Sequence, residues 1–228
     1  MAFKDEHSPS IPVKVLLSAS ILAGIVVSAI LTSGYSEFLA GLFKYEKAGG
    51  NIYRQIIFTS CALIYFLRFT LCMFVFLKRK IGWFEGSITS FLFFMMFYLF
   101  GTSAGSHSEP IGLYGISGVL LFLAGSYINT LSDYQRFAWK ENVGNKGRLY
   151  TKGLFRYSMH INYFGDGVSY IGLAMITLDL IPLLVAIGII VNFIVLQIPI
   201  LDKHLSRKYG DEFEEYANQT KKLVPFVY

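Results

Sequence analysis

Charge is what this sequence has little of. Only 15% of its 228 residues are Asp, Glu, Lys or Arg, against roughly a quarter in ordinary soluble domains. Cysteine is scarcer still, with Cys61 and Cys72 the two in the chain. That excludes a disulfide-stapled framework and a thiolate metal centre. Both lie in one apolar stretch about three helical turns apart, so both are expected as free thiols within the membrane. A G-x-G-x-x-G fingerprint, a P-loop lysine motif and a His/Cys cluster at ligand spacing are all missing. A soluble-type dinucleotide domain is thereby excluded, and no metal is expected. Low-complexity tracts, internal repeats and domain linkers are missing too, so residues 1–228 read as a single polytopic domain.

What is present is apolar. Hydrophobic residues make up 54% of the chain, gathered into runs long enough to cross the roughly 30 Å core of a bilayer as helices, which takes about 20 residues. Candidate spans fall at 11–32, 56–77, 86–102, 111–131, 163–180 and 182–201, with Pro182 placed as a helix-start residue. The fifth is interrupted by Gly165, Asp166 and Gly167. Met1 to Ser10 are mixed in charge and lack the basic start of a secretory signal, so the first span is expected to be retained.

Loop charges order these spans. With a cytoplasmic amino terminus, Lys78, Arg79 and Lys80, then Arg136, Lys140, Lys146, Arg148, Lys152 and Arg156, then Lys203, Arg207, Lys208, Lys221 and Lys222 all fall inside. Outside remain Lys44, Lys47 and Arg54. This is the positive-inside pattern. It predicts an all-α integral membrane fold of about six transmembrane helices with both termini cytoplasmic, or seven if 36–43 forms a further piece. The net charge of +5 then reflects orientation and not a nucleic-acid partner. Residues 202–228 alternate Asp211, Glu212, Glu214, Glu215, Lys221 and Lys222 with Phe213, Tyr216 and Leu223. They read as an amphipathic tail on the cytoplasmic face.

Two places carry polar residues where they are costly. Arg68 lies mid-span, one turn from Tyr65. An arginine there costs on the order of 3 kcal/mol on insertion scales, so it must face the interior and find a partner. The second place is Asn129 to Asp166, which leaves one span through Ser132 and Asp133, crosses the basic loop around Gly144, Asn145, Lys146, Gly147 and Arg148, and re-enters through Asn162 and Asp166. Two readings fit the loop. Cations flanked by glycines suit a phosphate-bearing ligand, and an ordinary positive-inside loop has the same composition. Asn162 and Asp166 fit only the first, since an ionisable residue at a span start is by default a functional-site hypothesis. His160 reads as structural or exposed, Trp83 and Trp139 as interfacial anchors, and Asn218-Gln219-Thr220 as an unused sequon.

At these residues the sequence resembles the steroid 5α-reductase superfamily and its bacterial relatives. Ser132-Asp133-Tyr134, then Gly153-Leu154-Phe155-Arg156-Tyr157, then Asn162-Tyr163-Phe164-Gly165-Asp166 follow that family's order. Lys222-Leu223-Val224-Pro225-Phe226-Val227-Tyr228 is similar to its terminal segment, and Tyr65-Phe66-x-Arg68 looks like its early-helix Y-F-x-R. The resemblance implies a membrane enzyme that binds NADPH in a cytoplasm-facing cavity and reduces the C=C bond of a lipophilic, steroid- or isoprenoid-like enone entering from the bilayer. It puts Asn129, Asp133, Arg148 and Asn162 on cofactor-contacting positions, with Asp166 in place of the usual glutamate. Lys140, Arg156 and Tyr209 complete the expected cofactor set. Tyr65 falls on the tyrosine that hydrogen-bonds the substrate carbonyl, and Arg68 and Glu37 are taken as its catalytic company.

The chain also departs from the pattern. Neither Glu37 nor Glu46 sits in a matching motif, and Ser158-Met159-His160-Ile161-Asn162 lacks the arginine and proline of the bacterial S-R-H-P-N. Asp202-x-x-Leu205-x-x-x-Tyr209-Gly210 with Phe213-x-x-Tyr216 resembles isoprenylcysteine carboxyl methyltransferases, so S-adenosylmethionine is the alternative cofactor. A non-catalytic lipid-binding relative is the third reading. The bacterial inner membrane and the endoplasmic reticulum both suit such a protein.

Overall fold

The structure, a computed structural model, describes residues 8–32 and 50–227. Glu37, Glu46 and the segment 36–43 lie outside the described residues. Among the latter the regular elements are helical, with no strand. In order they are α1 (Ile11–Thr32), α2 (Ile52–Leu71), α3 (Trp83–Ser106), α4 (Leu113–Glu141), α5 (Ile161–Thr177), α6 (Leu180–Asn192), α7 (Ile198–Tyr209) and α8 (Asp211–Gln219). A π-helical turn, Cys72–Phe76, prolongs α2, and another, Phe193–Gln197, carries α6 straight into α7.

Each expected span coincides with a helix, and the all-helical membrane architecture is borne out. Among the described residues five runs are long and apolar enough to cross a bilayer: α1, α2 with its π turn, α3, α4, and α6 through α7. Of the helices outside these runs, α5 has 17 residues, about 26 Å at the usual rise. Ten of its residues are buried, so it sits inside the bundle. Two ends differ from expectation by more than two turns. α4 continues past 131 to Glu141, and the last span runs on through Asp202 to Tyr209. Hydropathy falls at the bilayer surface, whereas the backbone hydrogen-bond ladder continues until it is capped, so a hydropathy boundary marks the bilayer and not the helix end. Pro182 lies within the first turn of α6, whose N-cap is Asp179, with Oδ1 accepting from the Ile181 N–H at 3.1 Å.

Small residues set the packing. α1 and α3 run parallel, because Val13 faces Gly86 and Ser28 faces Gly101. α4 and α5 are antiparallel along a glycine seam. A Cβ on Gly125 would come within 2.5 Å of the Gly165 carbonyl oxygen, and one on Gly172 within 2.4 Å of the Phe122 nitrogen. Hydrophobicity does not hold helices together in lipid, so close backbone approach and interhelical hydrogen bonds must. Ser126 and Ser169 add such a bond, Oγ to Oγ at 3.3 Å.

Cations gather at one end of the bundle. Lys14 Nζ donates to the Leu77 carbonyl at 2.6 Å, and Lys78 pairs with Glu141. The Met159 and His160 N–H groups donate to the Lys221 and Lys222 carbonyls at 2.8 and 3.0 Å, docking the tail at the same end. Arg54 is the one lysine or arginine at the opposite end among the described residues. It is wholly buried, its Nη2 donating to the Glu109 and Pro110 carbonyls at 2.6 and 3.0 Å. Cys61 and Cys72 are buried free thiols, as expected.

Substituting Gly125→Val is expected to lower stability by about 1–3 kcal/mol through overpacking of the α4–α5 seam. Gly188→Ala, on an exposed stretch of α6 with open space around it, leaves stability unchanged or slightly higher. Thermal unfolding of detergent-purified variants compares the two.

Candidate functional site

The α4–α5 seam positions the polar core of the molecule. It brings Asn129 of α4 against the first turns of α5, and α2 lies across both. Arg68 of α2 reaches into this junction. Its Nη2 donates to Asp166 Oδ1 at 2.9 Å and its Nη1 to Asn129 Oδ1. Asn129 passes the connection on, its Nδ2 donating to the Asn162 carbonyl at 3.0 Å. The guanidinium also stands over the Tyr65 ring, 4.7 Å from its centre. Arg68 Nε has no partner among the described residues. Arg68 and Asn129 are buried, whereas the Asp166 side chain keeps 21% of its surface open. A lone charge would be prohibitive here, so cation, carboxylate and amide neutralise and solvate one another.

Above Arg68 on α2 the Tyr65 hydroxyl meets that of Tyr170 on α5, oxygen to oxygen 2.8 Å. Both rings are buried. Phe97 lies 5.1 Å from the Tyr65 ring, and Phe69 and Phe93 flank it at 6.1 and 6.4 Å. Two phenol groups are thus held together at the edge of an aromatic cluster.

Toward the basic end a cavity of about 80 Å³ opens between α4, the start of α5, α7 and α8. Arg136, Lys140, His160, Asn162, Tyr209 and Tyr216 contribute to its wall. Asn162 is the link between the two regions, since its carbonyl belongs to the Arg68 network. Local structure fixes the walls. Tyr216 Oη donates to the Phe155 carbonyl at 2.6 Å, and the Leu154 N–H donates to Gln135 Oε1 at 3.0 Å. Burial pushes the Tyr216 and Tyr150 phenols above their usual range, so both remain neutral donors. His160 is buried, with Nε2 2.8 Å from Asp202 Oδ1, and its ring stacks on Tyr163.

The expected site residues therefore fall into three groups. Tyr65, Arg68, Asn129 and Asp166 form the buried network. Lys140, Asn162 and Tyr209 meet at the cavity. Asp133 lies one turn beyond Asn129 and accepts from Arg136 Nη2 at 2.6 Å, bordering the cavity through that arginine. Arg148 and Arg156 join neither group. Arg148 pairs with Glu212 at 3.6 Å on the exposed surface, and Arg156 lies against Tyr157, 4.5 Å over its ring. Glu37 lies outside the described residues. Sequence reasoning missed Tyr170, Arg136 as a wall residue, and the His160–Asp202 pair. Tyr170 was findable, being one turn beyond Asp166 on the same helix face.

The model of the family described as protein of unknown function (DUF1295) matches residues 81–220, more than half the chain and all of the cavity wall. The chain belongs to this family. It is also similar to the "3-oxo-5-alpha-steroid 4-dehydrogenase 2" of Macaca fascicularis and of Homo sapiens, 32% identical over 111 residues in each case. The isoform named "3-oxo-5-alpha-steroid 4-dehydrogenase 1" of Rattus norvegicus is 29% identical over 112 residues. Each alignment covers 49% of this chain and 41–42% of the relative, so the match spans less than half the length of those proteins. The resemblance to the steroid 5α-reductase superfamily is borne out.

Removing one member of the buried network strands the others. Arg68→Ala is expected to destabilise the protein by about 3–5 kcal/mol, because it leaves the Asp166 carboxylate uncompensated. The double variant Arg68→Met with Asp166→Leu recovers most of that loss. Thermal melts of both in one detergent check it.

Proposed function

We propose that this protein is a membrane-embedded, NADPH-dependent reductase of the C=C bond of a lipophilic enone, with its basic end in the cytoplasm. The observation that carries this reading is the junction at Asn162, where a cation-lined cavity adjoins the buried Tyr65–Arg68 cluster. Similarity to proteins named as 3-oxo-steroid dehydrogenases supports the reaction class, and the one-ended gathering of lysine and arginine supports the orientation.

The donor set fits a dinucleotide. Arg136 and Lys140 supply charge for a diphosphate, the Asn162 amide offers paired donor and acceptor groups, and Tyr209 offers an aromatic face. At about 80 Å³, the cavity is smaller than the roughly 300–1,000 Å³ of sites that enclose a whole ligand. It accounts for one end of the molecule. When bound, the nicotinamide supplies a hydride equivalent to the β-carbon of the enone. Tyr65 donates to the carbonyl oxygen and stabilises the negative charge that develops there as the enolate forms. A proton added at the α-carbon completes the reduction. Arg68 stiffens the Tyr65 ring from one face and, through Asn129, keeps Asn162 in register with the cavity. The apolar surroundings of Tyr65 exclude water and suit a substrate drawn from lipid.

Detergent-purified protein tests the reading by thermal stabilisation. NADPH at about 100 times its dissociation constant should add roughly 2.7 kcal/mol, with Lys140→Ala and Asn162→Ala each weakening the response at fixed concentration. NADPH absorbance should then fall when a 3-oxo-4-ene steroid is added. Stabilisation by S-adenosylmethionine alone would sink the reductase in favour of methyl transfer. No response to either, in folded protein, would leave a non-catalytic lipid-binding relative.

A further inference from the structure

We infer that Tyr170 is the positioning partner of Tyr65, donating its hydroxyl proton to the Tyr65 oxygen so that the Tyr65 proton is the one presented to a substrate carbonyl. The inference rests on the enone-reductase reading and adds to it a residue and a direction of hydrogen bonding.

Proton counting carries the argument. Two phenols bring two protons, and each oxygen can donate one and accept others. Their mutual bond at 2.8 Å uses one proton. Neither hydroxyl has a second hydrogen-bond partner among the described residues, and both residues are almost wholly buried, Tyr65 to 1% and Tyr170 to 4% exposure. Among the described residues one O–H is therefore left without an acceptor beside a phenylalanine-rich cluster, which costs free energy until an acceptor arrives. A ketone oxygen accepts and cannot donate, so it is the chemical complement of that unpaired proton. A hydroxyl, which must also place its own proton, is the poorer match.

The direction follows from the surroundings. The Arg68 guanidinium stands 4.7 Å over the Tyr65 ring, drawing density from that phenol and making it the better donor toward the substrate. Phe97 and Phe69 pack on the same ring. If Tyr170 donates to Tyr65, the chain Tyr170 to Tyr65 to carbonyl runs in one direction, and each bond polarises the next. In the reverse direction the Tyr65 proton would be spent on Tyr170. The helix spacing permits the arrangement, since Tyr170 follows Asp166 by one turn and the Arg68 contact to Asp166 fixes α5 against α2 at that level. Tyr170 thus supplies within the described bundle the partner that the sequence resemblance assigned to a glutamate.

The test uses the full chain in detergent with NADPH and a 3-oxo-4-ene steroid. Tyr65→Phe is expected to lower kcat by about 10²–10³-fold, the usual effect of losing an oxyanion donor. Tyr170→Phe is expected to lower kcat by about 10-fold, the loss of one hydrogen bond's support, with KM within about 2-fold. Because Tyr170 acts through Tyr65, adding Tyr170→Phe to Tyr65→Phe should cost nothing more. A merely structural role would lower both backgrounds equally, and that result would overturn the inference. The carbonyl stretch of a ¹³C-labelled steroid bound with NADP⁺ gives a readout independent of turnover. It should move back toward its free position in Tyr170→Phe, and an unchanged stretch with unchanged kcat would also overturn the inference. So would a Glu37→Gln variant that reproduces the Tyr65→Phe loss while Tyr170→Phe is silent. Failure of the parent chain to bind or reduce the steroid is a different result. It sinks the enone-reductase reading itself, and the assignment of Tyr170 with it.

Discussion

The charge on Arg68 must be housed inside an apolar bundle, and most of the surrounding architecture answers that need. A guanidinium at that depth is tolerable only if it faces inward and meets compensating groups. Asp166 supplies the opposite charge, Asn129 an amide oxygen, and the Tyr65 ring an electron-rich face. These partners come from three helices, so satisfying one side chain fixes α2, α4 and α5 relative to one another. The glycine seam makes this possible by letting α4 and α5 approach to backbone contact at Gly125 and Gly165. Larger residues there would move Asn129 away from the Asn162 carbonyl that it holds. The buried ion pair is weak evidence for stability in itself. Its effect is to specify one arrangement of helices.

That arrangement divides the molecule by chemistry. One region is a buried cluster in which two tyrosine hydroxyls sit among phenylalanines. The other is a cation-bearing cavity facing the end of the bundle where loops and tail converge. Asn162 belongs to both, through its carbonyl on one side and its place in the cavity wall on the other. The proposed reaction between a charged cofactor and an apolar substrate would use such a boundary. Phosphate recognition needs cations near water, and enolate stabilisation is strongest where water is excluded.

The tail takes part in this boundary. Residues 221–222 pair by backbone hydrogen bonds with Met159 and His160, and Ser158 Oγ donates to the Leu223 carbonyl at 2.8 Å. Phe213 and Tyr216 of α8 are buried against Met159 and neighbouring side chains. The amphipathic helix expected from alternating charge and aromatic residues therefore exists and buries its apolar face against the rest of the bundle. Its apolar face helps close the cavity, a role that amphipathic spacing alone cannot distinguish from resting on lipid.

Membrane class, the positions and order of the apolar spans, the free state of Cys61 and Cys72, and the presence of costly polar residues at Arg68, Asn129 and Asp166 are all legible in the order of the amino acids. Hydropathy and propensity are nearly local properties, summed over a window of about 20 residues, so they survive without knowledge of the fold. Motif order also sufficed to indicate the superfamily. Who partners whom is a matter of packing. Arg68 meets Asp166 from 98 positions away and Tyr65 meets Tyr170 from 105. Such pairings depend on which helix faces meet and at what level, and those are set by close contacts along the glycine seam. For the same reason Arg148 and Arg156, expected beside a cofactor, pair instead with Glu212 and Tyr157, while the place of Arg136 in the cavity wall and the meeting of Tyr170 with Tyr65 depend on how the helices pack.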